Sequence, residues 1–231
     1  MIRPIRIESA LIEKTYLSKE IVKIGFSIPE DFSFEAGQFF NILFDPGDKK
    51  TYRSYSILNP PSKKGVIESC IKLVDKGYGS DMIRKAFIGD KFTISAPFGI
   101  FTFNSNSKDN VFLCTGTGVT PFYSMLLEHV HNMPGHNFTL MYGVATLNEL
   151  VFNDEFLKLE KKFSNFTYTP TLTREIEEKW FGKRGRVQMH VDDFKNKTFY
   201  ICGLKEFISE TRELLKKNGV ESKNILFERY D

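Results

Sequence analysis

The feature of this 231-residue chain that most restricts its fold is a change of rhythm near residue 105. Before it come six short runs rich in β-branched and aromatic residues: IRIESALIEK (5–14), IVKIGFSI (21–28), GQFFNILF (37–44), TYRSYSI (51–57), VIESCIKLV (66–74) and DKFTISAPF (90–98). Gly, Pro, Asn and Asp separate them, and only SDMIRKAF (80–87) has helical spacing, so an antiparallel barrel or sandwich is expected. In that short helix Ser80 is the expected N-cap, with Met82, Ile83 and Phe87 as the buried stripe. The stretch FNSNSKDN (103–110) is polar and turn-rich and reads as a linker. After it, apolar strands alternate with amphipathic helices: NVFLCT then PFYSMLLEHVH, NFTLMYG then VFNDEFLKLEKKF, FTYTPTL, KTFYICG then EFISETRELLKKNG, and NILFERY. That alternation predicts a parallel sheet with helices on both faces. The expected domains are 1–104 and 110–231.

Charge and cysteine usage narrow the function. A net charge of +3 is too small to argue for nucleic acid. The excess lies in residues 1–104, with 15 Lys/Arg against 12 Asp/Glu, while residues 105–231 balance at 17 against 17. An acidic partner would therefore be steered to the first half. Cys70, Cys114 and Cys202 are too few and too dispersed for a disulfide framework or for an iron–sulfur cluster held by this chain. With no signal-peptide pattern and no 18-residue apolar run, a cytoplasmic protein without membrane insertion is expected. His129, His131 and His136 cluster in sequence but lack a carboxylate or thiolate to complete a metal site, so no metal is expected.

Several motifs carry possible chemistry. In RSYS (53–56), strand alternation sets Arg53 and Tyr55 on one face and Ser54 and Ser56 on the other. A cation beside an aromatic ring suits a flat-ringed ligand bearing phosphate, although an ordinary solvent-facing strand would look the same. GYGSDMI (77–83) joins glycines to a helix start, a second candidate anion site. CTGTGVTP (114–121) follows an apolar strand and opens a helix. Gly116 and Gly118 permit a tight turn and close backbone approach, and Pro121 suits the first helical turn, so the amides there can take a pyrophosphate. YICGLK (200–205) ends a strand at the carboxyl edge of the sheet, where Cys202 is either a small buried hydrophobe or a sulfur beside a ligand ring. Arg174, Lys183, Arg184 and Arg186 follow the third strand of this half. They form either a solvated surface or a seat for the extra phosphate of NADPH. No Asp or Glu immediately follows TLMYG, where one would bind an NADH ribose.

Taken in order, the R-x-Y-S strand, CIK, KGYGS, G-T-G-x-x-P, CGLK and the final E-R-Y resemble the ferredoxin–NADP(H) reductase superfamily, over essentially the whole chain. CIKLVDKGYGSDMI and ICGLKEF look like plant-type members, and TPTLTRE followed by GRV like bacterial ones. The resemblance implies an antiparallel flavin barrel followed by a five-stranded parallel nucleotide domain. It implies that Arg53 binds flavin phosphate, Tyr55 stacks on one face of the isoalloxazine and Ser56 hydrogen-bonds near N5. Cys70, Ile71 and Lys72, with Gly79 and Ser80, would hold the diphosphate. Gly116, Thr117, Gly118 and Pro121 would hold the nicotinamide nucleotide's pyrophosphate, with Thr173, Arg174 and Arg184 toward its 2′-phosphate. Cys202 would lie near the nicotinamide, Glu228 would help proton or electron traffic, and Tyr230 would cover the other flavin face.

The implied activity is an FAD-dependent NAD(P)H oxidoreductase exchanging electrons with a separate ferredoxin or flavodoxin. FMN is the alternative flavin, and NADP(H) is favoured over NAD(H). The alternatives are an oxygenase reductase component, a free flavin or ferric reductase, and a non-catalytic nucleotide-binding subunit. Two departures from the family pattern stand out: Asp231 follows Tyr230, and Ala145 stands where several bacterial members have arginine.

Overall fold

The computed structural model describes residues 3–44, 51–104, 107–174, 180 and 182–230. They form two bodies, one of Met1–Phe103 with Thr120–Glu128, the other of Asn104–Val119 with His129–Asp231.

The first body is built on six antiparallel strands: β1 (Ile5–Tyr16), β2 (Ile21–Ser27), β3 (Phe39–Phe44), β4 (Thr51–Ser56), β5 (Val66–Lys72) and β6 (Lys91–Phe98). Their order is β4-β3-β6-β1-β2-β5. The sheet curls until its two edges touch: Ser69 Oγ on β5 donates to Ser56 O on β4 at 2.8 Å, and Leu58 N donates to Glu68 O at 2.8 Å. Curling turns one face of every strand inward, and the alternating apolar residues Leu11, Val22, Ile24, Phe26, Phe40, Ile42, Ile67 and Ile94 fill that interior. Phe26 meets Phe40 and Phe92 edge-on, at 6.1 and 5.3 Å between ring centroids. On the β2–β5 pair, Glu68 has a side chain only 4% exposed yet is ionised. Burial pushes its pKa up, but hydrogen bonds from Lys63 and Lys23 outweigh burial and hold it below the usual carboxylate range.

One helix belongs to this sheet, α1 (Tyr78–Lys85). It differs from expectation at both ends. Gly77 is the N-cap, and Ser80 lies inside the first turn, where its Oγ accepts from Val74 N at 3.0 Å. The helix stops at Lys85, so helical spacing no longer applies to Phe87, which is 77% exposed; Met82 is also exposed. Of the expected stripe, only Ile83 is buried.

The second body holds β7 (Asp109–Thr115), β8 (Asn137–Val144), β9 (Phe166–Leu172), β10 (Lys183–Arg184), β11 (Lys197–Gly203) and β12 (Ile225–Arg229). All pair in parallel in the order β10-β9-β8-β7-β11-β12. The sheet therefore has six strands rather than five. The addition is the two-residue β10, where the backbone of the basic cluster joins the edge strand while its side chains stay exposed. Register puts Phe112, Phe138, Tyr168 and Tyr200 on one face, against Phe156 of α3 (Asn153–Lys162). Val111, Leu113, Met141, Phe199 and Ile201 form the other, against Phe207, Ile208 and Leu215 of α4 (Lys205–Lys217). The expected linker ends sooner than its composition suggests. Asp109 opens β7, and Asn110 is buried with its amide donating to Ser107 O and Lys108 O; residues 105 and 106 lie outside the described residues.

Helix α2 (Val119–His129) follows β7. Its residues Thr120–Glu128 belong to the barrel body. Thr120 Oγ1 donates to Cys70 O at 3.4 Å, Ser124 Oγ to Asn59 O at 2.8 Å, and Ser62 N to Glu128 Oε2 at 3.1 Å. Among the described residues, no helix is long and apolar enough to cross a membrane.

Candidate functional site

In the barrel body the candidate residues gather where α1 begins. A Cβ built on Gly79 would stand 3.2 Å from the Tyr55 hydroxyl and 3.4 Å from Arg53 Cγ. Arg53 and Tyr55 thus share the face of β4 that meets the first turn of α1, as alternation predicted. Ser54 turns the other way, donating to Asn41 Oδ1 at 2.7 Å. Tyr55 packs partly into the core against Phe40, and burial, only partly opposed by Arg53, pushes its pKa up to about 12. It remains a neutral phenol, with a ring face and a hydroxyl to offer. The Arg53 guanidinium is exposed and donates to Tyr52 O at 3.0 Å. A fixed cation, an aromatic ring and a helix start bare of side-chain bulk fit a flavin phosphate and ring.

The remaining flavin candidates divide by exposure. Ser56 is buried at the end of β4, its carbonyl held by Ser69. Cys70 and Ile71 on β5 are both buried, Ile71 in the barrel core and Cys70 on the opposite face, so their main chain is what can meet a ligand, while the Lys72 ammonium is exposed, 3.7 Å from Glu20. Burial pushes the Cys70 thiol up to about 12, so it is not a nucleophile. Ser80 keeps its hydroxyl proton to donate, because its oxygen serves as the acceptor for Val74 N.

In the second body, strand order reverses between β7 and β11, the place where open parallel sheets bind ligands at their carboxyl ends. β7 runs into the turn Gly116–Gly118 and then α2, with Pro121 in the first helical turn. Gly116 has φ +54°, and nothing lies within 4 Å of where its Cβ would be. Gly118 is the opposite case, since a Cβ there would come 2.5 Å from Cys202 O. The two strand ends therefore close on one another at Gly118, with open space beside Gly116. That backbone cradle fits a pyrophosphate.

Cys202, Glu228 and Tyr230 are brought together at the same edge. Cys202 faces Glu228 across the β11–β12 register, and Tyr230 N donates to Gly203 O at 3.0 Å. Cys202 is fully buried, and burial, then Glu228 and Cys114, push its thiol well up; the neighbouring Tyr230 side chain only partly opposes the rise. The sulfur is a neutral, polarisable group beside Tyr230, and it has no thiolate chemistry to offer. Asp231 lies outside the described residues.

Thr173 and Arg174 are exposed just beyond β9, their amides donating to Val144 O and Ala145 O at 3.0 Å. β10 sets Arg184 beside Leu172, so Arg174 and Arg184 share one end of the sheet. A carboxylate also stands here, contrary to expectation. A 3-10 turn over Leu147–Glu149 folds Glu149 back, and its Oε2 accepts from Ala145 N at 3.1 Å, directly after β8. Sequence adjacency missed it because the turn brings it back from four residues away. Among the described residues, no cluster of three or more His, Cys, Asp or Glu could hold a metal.

Residues 8–103 match the model of an oxidoreductase FAD-binding domain, and residues 112–213 that of an oxidoreductase NAD-binding domain. The chain is 29% identical to ferredoxin–NADP reductase B of Sorangium cellulosum (strain So ce56), covering 100% of both chains. It is likewise 29% identical to the reductase component DmpP of the phenol 2-monooxygenase of Pseudomonas sp. (strain CF600), over 96% of this chain but only 64% of that one. Its fold matches the solved structure of a ferredoxin NADP+ reductase from Neisseria gonorrhoeae, with TM-score 0.85 and 24% identity over 97% of this chain and 98% of that one.

Proposed function

The chain belongs to the ferredoxin–NADP reductase superfamily, and from that premise we propose that it is an FAD-dependent oxidoreductase moving electrons between NADP(H) and a separate one-electron carrier, a ferredoxin or flavodoxin. The observation that carries this reading is the meeting of Arg53 and Tyr55 with the bare first turn of α1, in a chain that also has an open glycine cradle at a sheet switch point. The Neisseria gonorrhoeae reductase, which shares the fold, was solved with FAD and NADP bound. A bound flavin supplies the exchange between two-electron nicotinamide chemistry and single-electron transfer.

The chain's own residues position and exclude. Arg53 neutralises flavin phosphate while the α1 amides, Ser80 and the main chain of residues 70–72 bind it. Tyr55 offers its ring face to the isoalloxazine. The Ser56 hydroxyl, at the end of β4, holds a proton at the flavin N5 edge. Gly116, Thr117, Gly118 and Pro121 seat the nicotinamide nucleotide's pyrophosphate. Tyr230 keeps water from the Cys202 edge until a nicotinamide takes its place, and the adjoining Glu228 helps proton or electron traffic. Arg174 and Arg184 favour the 2′-phosphate of NADPH. The basic excess of residues 1–104 suits an acidic carrier, and the three dispersed, buried cysteines fit a one-electron centre held outside this chain.

The test is to purify the protein, release and identify its flavin, and assay reduction of ferredoxin, flavodoxin, free FMN and ferric chelates with NADPH and NADH. Released FAD and NADPH-driven carrier reduction are expected. A colourless protein that refuses FAD overturns the flavin reading. Turnover of free flavin or chelates without a carrier favours a free flavin or ferric reductase. Reduction only of an oxygenase partner favours the second reading, to which the likeness to DmpP points.

A further inference from the structure

We propose that Lys14 is a positioning residue for the flavin phosphate, holding the last turn of α1 so that its first turn stays against Arg53 and Tyr55. This rests on the reading of that first turn as the flavin's phosphate seat. The Lys14 ammonium, partly buried, donates to Arg84 O and to Ala86 O, both at 2.8 Å. These carbonyls close α1, at the negative end of its dipole, and the cation reaches them from a strand some 70 residues earlier in the chain.

A bulge in β1 aims it there. The β1–β2 register runs Leu11↔Phe26 and then skips to Glu13↔Gly25, so Lys14 falls opposite Ile24. Ile24 is a core residue, and directly opposed residues share a face. Without the bulge, alternation from Leu11 would send Lys14 outward. The same bulge anchors the loop leaving α1: Gly89 N donates to Leu11 O at 2.8 Å and Leu11 N to Asp90 O at 2.9 Å. Asp90, whose charge acts on Lys14, itself accepts from Phe87 N at 2.8 Å.

Such an anchor is needed because α1 has only eight residues, too few to be stable alone in water. It spans about 12 Å, so a tilt at its exit moves the entry turn. The entry turn has little slack, with the Gly79 Cβ position 3.2 Å from the Tyr55 hydroxyl. A charge at the far end of the helix thus sets the geometry of the phosphate-binding end.

The test measures dissociation constants of FAD and of riboflavin, which lacks phosphate, for the full-length apoprotein and for Lys14→Met and Lys14→Arg. Lys14→Met is expected to weaken FAD about tenfold and leave riboflavin unchanged, with Lys14→Arg within about twofold of the parent. Unchanged FAD binding, equal weakening of both flavins, or failure of arginine to restore FAD binding overturns the proposal. If the parent protein itself binds FAD no tighter than riboflavin, the phosphate reading of α1 fails first, and the two failures are distinct. Should Lys14→Met not fold, Lys14→Gln carries the same comparison.

Discussion

The two bodies present the backbone proposed to bind phosphate in different ways. In the parallel sheet the cradle follows from topology. Strands β7 and β11 end side by side at the order reversal, and the main chain at Gly118 and Cys202 nearly touches. In the barrel α1 is held by side chains: Ser80 within its first turn, Lys14 from β1 at its last turn, and Arg53 and Tyr55 from β4 lying alongside its start. A backbone-on-backbone site tolerates no added atom. One bordered by side-chain ends can yield.

Substituting the two close-approach glycines is the most direct way to break that contrast. Gly118→Ala would set a Cβ 2.5 Å from a main-chain oxygen, so a stability loss of about 1–3 kcal/mol is expected, with nicotinamide nucleotide binding largely lost. Thermal melts and nucleotide titration measure both. The ionised Glu68 of the barrel should come next. Glu68→Gln is expected to remove about 1.5–3 kcal/mol near neutral pH, moderated because Lys63 is half exposed. The sign of its pH dependence follows from a folded-state pKa held below its unfolded value of about 4.3: the stabilisation is full above that value and is lost as pH falls through the folded one. Denaturation across pH 2–7 should accordingly show a shallower acid limb for Glu68→Gln.

Arg174→Ala sharpens the comparison within the parallel sheet. It should raise KM for NADPH roughly tenfold with little change for NADH, a loss of about 1.4 kcal/mol. Equal effects on the two coenzymes would show that Glu149, not the arginine, dominates that end of the sheet. Gly79→Ala should be mildest. The nearest atoms to its Cβ are the Tyr55 hydroxyl, a Phe44 ring edge and Arg53 Cγ at 3.2–3.4 Å, all of them side-chain atoms. Helix propensity favours alanine by up to about 1 kcal/mol. Apoprotein stability should therefore hold or rise while FAD binding weakens several-fold, measured by melts and flavin titration. A severe loss of stability would place both glycines in one class.

What could be read from the chain follows the same division. The parallel sheet was legible because its strands are apolar runs bounded by turn residues and its site sits where strands end; KTFYICG coincides with β11 residue for residue. The alternation in RSYS likewise set Arg53 and Tyr55 on one face. Reading failed where a local irregularity changed the phase. The β1 bulge turned Lys14 inward, the turn after β8 brought Glu149 back, and α1 began at Tyr78 rather than after Ser80. Each depends on a backbone geometry that periodicity does not encode. Edge pairing at β10 escaped notice because two residues carry no period at all.

Helix α2 follows the Gly116–Gly118 turn in the chain, yet Thr120, Ser124 and Glu128 make hydrogen bonds with Cys70, Asn59 and Ser62 of the barrel. The segment a ribosome would complete first is therefore not the segment that holds together. A nascent chain ending at residue 104 lacks the hydroxyls that meet the Asn59 and Cys70 carbonyls, and its barrel should mature only after α2 emerges. For the same reason, recombination between relatives at the polar stretch 103–110 would import a foreign helix against this barrel. Crossovers that preserve function should carry residues 120–128 along with the strands they touch.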